Sequence, residues 1–160
     1  MAWIAPKTDF DPGDILTADE MNAIGGNLDE LAPFFAAWTS YTPTLTQSGA
    51  VTKTVTYAKY VQIGNFVWVQ VFLTATGAGT AANAITVTLP VAAIAHQGVS
   101  GAAFVLDANV NSYVGTARGL TTTTVAFFQG LGGGTAIGQS PNFALANTDI
   151  VQFSVFYEAA

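Results

Sequence analysis

The periodicity of the apolar residues changes once along this chain, and that change limits the folds open to it. Between Thr17 and Leu31 apolar side chains recur at helical spacing, and from about Ala36 onward they alternate. The alternating stretches are Tyr41–Thr46, Val51–Tyr57, Phe66–Thr74, Ile85–Leu89, Val99–Leu106, Ser112–Arg118, Thr123–Phe128 and Ile150–Tyr157, all rich in Val, Ile, Thr, Phe and Tyr. Turn-forming residues separate them: Gln47-Ser-Gly, Gly64-Asn, the run from Gly77 to Asn83, Gly130–Gly134 and Gly138–Asn142. Short strands in this number, with no second helix among them, predict a mostly β fold. We expect an antiparallel sandwich or jelly-roll-like domain preceded by one short N-terminal helix.

Charge divides the chain at the same place. Residues 1–33 carry seven acidic side chains against Lys7, and residues 34–160 carry three acids against three bases, so the net charge of −6 belongs to the N-terminal segment. The remainder is a nearly uncharged β-domain in a chain with only 9% charged residues. No basic stripe is present to neutralise phosphates, which argues against a nucleic-acid partner. The apolar runs fall far short of the ~20 residues that span a bilayer, and the N-terminus lacks a signal-peptide pattern. No membrane insertion is expected. Without cysteine there is no disulfide framework, thiolate metal site or thiol nucleophile.

The helix is written clearly. Thr17-Ala-Asp-Glu20 fits a capping box, Leu16 and Met21 occupy the positions of a hydrophobic staple, and Pro33 stops the helix after Leu31. Met21, Ile24, Leu28 and Leu31 are spaced 3, 4 and 3, an a/d seam two heptads long. Gly25 and Gly26 weaken the helix by about 1 kcal/mol each relative to Ala, so it must dock on something. Its own β-domain, identical helices and a larger assembly are the alternatives.

The strand at Phe66–Leu73 is apolar on both faces, with Phe66, Trp68 and Phe72 on one and Val67, Val69, Val71 and Leu73 on the other. An antiparallel strand with one wet side should not read this way. Phe66, Trp68 and Phe72 are therefore candidates for a subunit interface, with a covering loop of the same chain as the alternative. The last strand repeats the pattern more weakly, with Val151, Phe153, Val155 and Tyr157 on one face and Ile150 and Phe156 on the other.

Candidates for chemistry are few. His96 is the single histidine and has no acidic neighbour in sequence, so a structural or surface role is expected. Asp107, Asp149 and Glu158 are the only carboxylates of the β-domain, a poor supply for the paired acids of glycoside hydrolysis. Asp9, Asp11 and Asp14 resemble a calcium loop in composition, but Pro12 and Gly13 break the alternation of ligands. Gly130, Leu131, Gly132, Gly133 and Gly134 lack the Lys-Ser/Thr of a phosphate loop and are left as a candidate ligand-contact loop. Trp38, Tyr41, Tyr57, Tyr60 and Tyr113 could stack on sugar rings or pack in the core. No catalytic residue, metal site or cofactor is expected.

The opening of the chain and three stretches of the β-domain carry a resemblance. Pro6-Lys-Thr-Asp-Phe-Asp-Pro-Gly-Asp-Ile-Leu-Thr-Ala-Asp-Glu-Met-Asn22 with Asn27-Leu28 is similar to the opening common among small virion proteins of tailed bacteriophages, particularly those of actinobacterial hosts. Trp38-Thr-Ser-Tyr-Thr-Pro-Thr-Leu-Thr46, Tyr60-Val-Gln-Ile-Gly-Asn-Phe-Val-Trp-Val69 and Asp149-Ile-Val-Gln-Phe-Ser-Val-Phe-Tyr-Glu-Ala159 resemble the β-domain attached to such openings. The sequence departs from the usual opening at Gly25-Gly26, where helix-favouring charged residues are common. The resemblance implies a minor tail, tail-fibre or head-decoration protein on the virion exterior. It further implies a homotrimer anchored to another virion protein through residues 1–33, with the β-domain outward and host surface glycan as a possible contact.

Overall fold

The computed structural model describes residues 13, 15, 17–32, 38–130 and 134–160, with the backbone alone at 30 and 31. The chain divides into two units, Met1–Ala37 and Trp38–Ala160. The described part of the first unit is helix α1 (Ala18–Leu31). Its N-terminus is closed as the capping box requires. Thr17 is extended, its hydroxyl accepts from the Glu20 N–H at 3.3 Å, and the Glu20 carboxylate accepts from the Thr17 N–H at 2.7 Å. Asp19 and Glu20 lie in the first turn, where the helix dipole favours negative charge. Leu16 of the expected staple lies outside the described residues.

The second unit is one curled antiparallel sheet of ten strands. In chain order they are β1 (Thr39–Ser40), β2 (Leu45–Gln47), β3 (Gly49–Ala50), β4 (Lys53–Ile63), β5 (Phe66–Ala75), β6 (Thr86–Thr88), β7 (Ser100–Asp107), β8 (Asn111–Thr121), β9 (Thr124–Gln129) and β10 (Ile150–Glu158). Their order across the sheet is β1-β4-β5-β10-β7-β8-β9-β6-β2-β3. The expected β class, with one helix ahead of it, is what the chain adopts. In place of the strand expected at Tyr41–Thr46 the segment Thr39–Gln47 has a short strand at each end and none at 41–44. Its first part pairs with β4, through Thr39↔Tyr60 and the Tyr41 N–H to the Ala58 carbonyl at 3.0 Å. Its second part pairs with β6, through Leu45↔Val87 and the Thr88 N–H to the Thr44 carbonyl at 3.1 Å. One segment thus crosses from one end of the main sheet to the other, and the buried Pro43, which has no N–H to donate, sits at the crossing. β4 also runs past the expected end at Tyr57 to Ile63, because the alternation continues until Gly64, at φ +57, makes the two-residue turn into β5.

The inward faces of the strands build the core. Val67, Val69, Val71, Leu73 and Ala75 of β5 are fully buried, as are Val151 and Val155 of β10. Each such Val or Leu contributes about 1.5–3 kcal/mol. Phe127 and Phe153 meet with ring centroids 5.4 Å apart. Small inward residues face one another across β7 and β8, Gly101 opposite Ala117 and Ala103 opposite Gly115. A Cβ at Gly101 would collide with the Ser154 carbonyl, and one at Gly115 with that of Phe128.

Two buried polar side chains tie the long loops to this barrel-like wall. Gln47 is almost fully buried; its amide donates to the carbonyls of Asn83 at 3.2 Å and Phe143 at 2.8 Å, and accepts from the Leu145 N–H at 2.8 Å. Asp149 accepts from the N–H groups of Ala108 and Ala146, each at 2.8 Å. Gln47→Ala would leave a buried N–H and two carbonyls without these partners, and is expected to lower stability by about 3 kcal/mol in urea denaturation. Gln62→Ala, which loses only the exposed bond to the Gly64 carbonyl, should stay within about 0.5 kcal/mol.

Two phenols lie in the same wall. Tyr157 donates to the Val91 carbonyl at 2.8 Å, and burial pushes its phenol up to about 12. Tyr41 donates to the Thr88 carbonyl at 3.3 Å, and burial raises its phenol well above the ordinary value. Both groups stay protonated in the folded state at pH values where the unfolded chain, with phenols near ~10, ionises. Their contribution is intact below pH ~10 and is lost as the pH climbs from there toward about 12. Melting temperature should fall over that interval, and absorbance at 295 nm should show these tyrosinates appearing only with unfolding.

Candidate functional site

Asp107 and Asp149 of the β-unit lie close enough for their charges to interact. Asp149 is buried and engaged by two backbone N–H groups. Burial, and secondarily the nearby Asp149 charge, hold the Asp107 carboxyl above its ordinary value. His96 begins a single 3-10 turn, His96–Gly98, and is exposed. Among the described residues no group of three or more His, Cys, Asp or Glu side chains could hold a metal ion. Asp9, Asp11 and Asp14 lie outside the described residues, as do Leu131, Gly132 and Gly133 of the glycine loop; Gly130, at φ +73, and Gly134 flank them, both exposed.

What stands out is the outer face of the sheet. The side chains of β4, β5, β10 and β7 that point away from the core are mostly aromatic or aliphatic. Phe66, Trp68 and Phe156 are 48%, 38% and 53% exposed, with Tyr57 similarly open. They gather in pairs: Trp68 stands edge-on to Trp38 at 4.9 Å, Tyr57 lies against Phe72 at 5.9 Å, and Phe66 stacks on Phe156 at 6.4 Å. The Lys59 ammonium sits 4.7 Å from the Trp38 ring and 5.6 Å from that of Tyr57. Apolar side chains gathered this way on a solvent face mark a contact surface.

The structure therefore brings Phe66, Trp68 and Phe72 together on one face, with the valines of the same strand in the core. It also sorts the aromatics that the sequence left open. Trp38 and Tyr57 belong to the outer face. Tyr113 is buried and stacks on Phe143 at 5.4 Å, and the half-buried Tyr41 packs edge-on against Tyr60 at 6.1 Å. Tyr113 is thus a core residue and no sugar platform. Sequence reasoning passed over Gln70, Gln152 and Ser154, which lie between the aromatics. Only the strand register shows that they are neighbours, Gln70↔Ser154 and Phe72↔Gln152. Burying such an amide without a partner costs about 1–3 kcal/mol for each stranded polar atom, so they limit what can dock here.

The helix offers the second surface. Met21, Ile24 and Leu28 are 53%, 40% and 60% exposed, and it is Asn27 that is buried. The side chain of Leu31, the fourth seam position, lies outside the described residues. Among the described residues, the hydrophobic core of the β-unit lies between Leu45 and Ala159.

No family model, curated protein or solved structure matches the chain. The site reading rests on the geometry. Among its consequences, a Cβ at Gly25 would meet nothing within 4 Å. Gly25→Ala is expected to stabilise α1 by about 1 kcal/mol, read as a stronger helical circular-dichroism signal at unchanged β-unit melting.

Proposed function

We propose that this chain is a non-enzymatic structural protein on the surface of a tailed-phage virion, a homotrimer whose N-terminal segment is the anchor and whose β-domain faces outward. In this reading residues 1–33 dock on another virion protein, and the β-domain serves a tail fibre or tail tip in host contact. One observation carries it: a well-capped helix carries an apolar seam whose described side chains, Met21, Ile24 and Leu28, are exposed. A helix of this length is marginal alone, so Met21, Ile24 and Leu28 are explained by partner helices. The acidic arm adds a charge that suits a basic docking patch, and repeated weak contacts add through multivalency. The resemblance of the opening and of the β-domain stretches to phage virion proteins points the same way.

A second reading is a capsid decoration or head-spike protein that stabilises the shell. Gold-antibody labelling of intact particles separates the two: label at the tail supports host contact, label over the head supports decoration, and no label retires both. Light scattering should give about three times the 16.5 kDa chain mass. Leu28→Asp places a charge on a residue exposed in the single chain, so the β-unit should melt unchanged, while the trimer should dissociate because the same charge buried in a seam costs several kcal/mol. A variant that remains trimeric would remove the helix from the interface.

A further inference from the structure

Cross-strand rows organise the outer face of the sheet. The central row runs Lys59, Gln70, Ser154, Ala102, Thr116 across β4, β5, β10, β7 and β8. On one side of it lie Tyr57, Phe72, Gln152 and Phe104; on the other lie Val61, Trp68, Phe156 and Ser100. Ala102 is short where its neighbours are long, and a depression of about 270 Å³ opens there, lined by Tyr57, Gln70, Ala102, Phe104, Gln152 and Ser154. Two aromatic rings, two amides and a hydroxyl converge on it, with no carboxylate and no cation in the lining. Some of this polarity is used within the chain: Gln152 donates to the Tyr57 hydroxyl at 3.3 Å, and Ser154 accepts from the Trp68 indole N–H at 2.8 Å. The Gln70 side-chain amide and the Gln152 side-chain carbonyl make no hydrogen bond among the described residues. Donor and acceptor capacity is left over beside apolar ring faces.

We propose that this depression binds one ring of a neutral saccharide. A sugar ring offers what the lining lacks, with C–H faces for the aromatic rings and hydroxyl edges that both donate and accept for the two glutamines. The volume lies below the roughly 300–1,000 Å³ of pockets for larger ligands, so it suits a single ring. An apolar side chain of a second copy would bury the Gln70 amide without a partner, at the cost that makes such contacts unfavourable. No charged side chain lines the depression, and the Lys59 ammonium is engaged over the rings of Trp38 and Tyr57, so a neutral ligand fits the lining better than a charged one. The inference deepens the host-contact reading by naming the ligand class, and it rests on that reading only for the ligand's biological source.

The test is an amide-resolved NMR titration of the full chain with methyl glycosides of hexoses, pentoses and N-acetylhexosamines, and with a methyl glucuronide as the charged counterpart. At least one neutral glycoside should shift the resonances of Gln70, Ala102 and Gln152, and the glucuronide should bind more weakly. Gln70→Ala should weaken binding about tenfold at unchanged melting temperature, since it removes a half-buried side chain of the outer face without touching the core. Retention on immobilised cell-envelope polysaccharide, competed by that glycoside, identifies a surface glycan as the source; glycoside binding without retention identifies a free sugar. The proposal is overturned if no neutral glycoside shifts these resonances, or if Gln70→Ala binds as well as the parent. It is equally overturned if the sugar-free protein buries this face in an assembly that Phe72→Asp dissociates, which would give the face to a second copy. A silent titration with gold-labelled virions removes the saccharide site alone, and a positive titration with unlabelled virions removes the virion reading alone.

Discussion

Everything in the β-unit depends on how its sheet is closed. An open antiparallel sheet ends in two rows of unpaired N–H and C=O groups that invite other chains. Here one stretch of nine residues, from Thr39 to Gln47, serves both rows, pairing first with β4 and then with β6. Pro43 marks the change of partner, where a donated N–H has nowhere to go. At the end of that stretch Gln47 is carried inward and its amide fastens the loops around Asn83, Phe143 and Leu145. Loss of that segment would open the sheet and unfasten the loops together.

Closure in turn sets which side of each strand is wet. A curled sheet has one interior, and the small inward residues on β7 and β8 let it bend enough to fill that interior with the valines of β5 and β10. The other side of β5 has no interior left to enter. Its phenylalanines and tryptophan consequently stand on the surface, paired with the aromatic residues of β4 and β10 and with Trp38. A face of that kind is costly in a chain that meets nothing, since clustered exposed aromatics favour association. The polar row through Gln70 and Ser154 breaks the apolar surface into two bands, and that interruption gives the face a chemical preference.

The legibility of these features differed with their range. The capping box at Thr17 and Glu20 and the helix from Ala18 to Leu31 were readable because both partners lie within four residues of each other. Strand positions were mostly readable too: alternation in β5 and β10 shows which residues share a face. What alternation does not show is which face is inside, and for β5 both faces were apolar. The seam of α1 was legible as a seam, but its exposure was not, because spacing says which side chains share a stripe and nothing about what lies opposite. Tyr113 illustrates the same limit, being written like the surface tyrosines and buried against Phe143.

The amino-acid sequence by itself determined the β class of the second unit, the single helix ahead of it, the concentration of charge in residues 1–33, and a β-domain poor in catalytic and metal-ligating side chains. These follow from local spacing and from composition, which need no knowledge of partners. Only the tertiary structure decided that Thr39–Gln47 serves two edges through a short strand at each of its ends, that Gln47 and Asp149 are interior fasteners, and that Gln70, Gln152 and Ser154 are neighbours of Tyr57 and Phe104. Those facts depend on register between strands as far apart in sequence as β4 and β10. Register is set by the sum of many long-range contacts, so no window of neighbouring residues contains it.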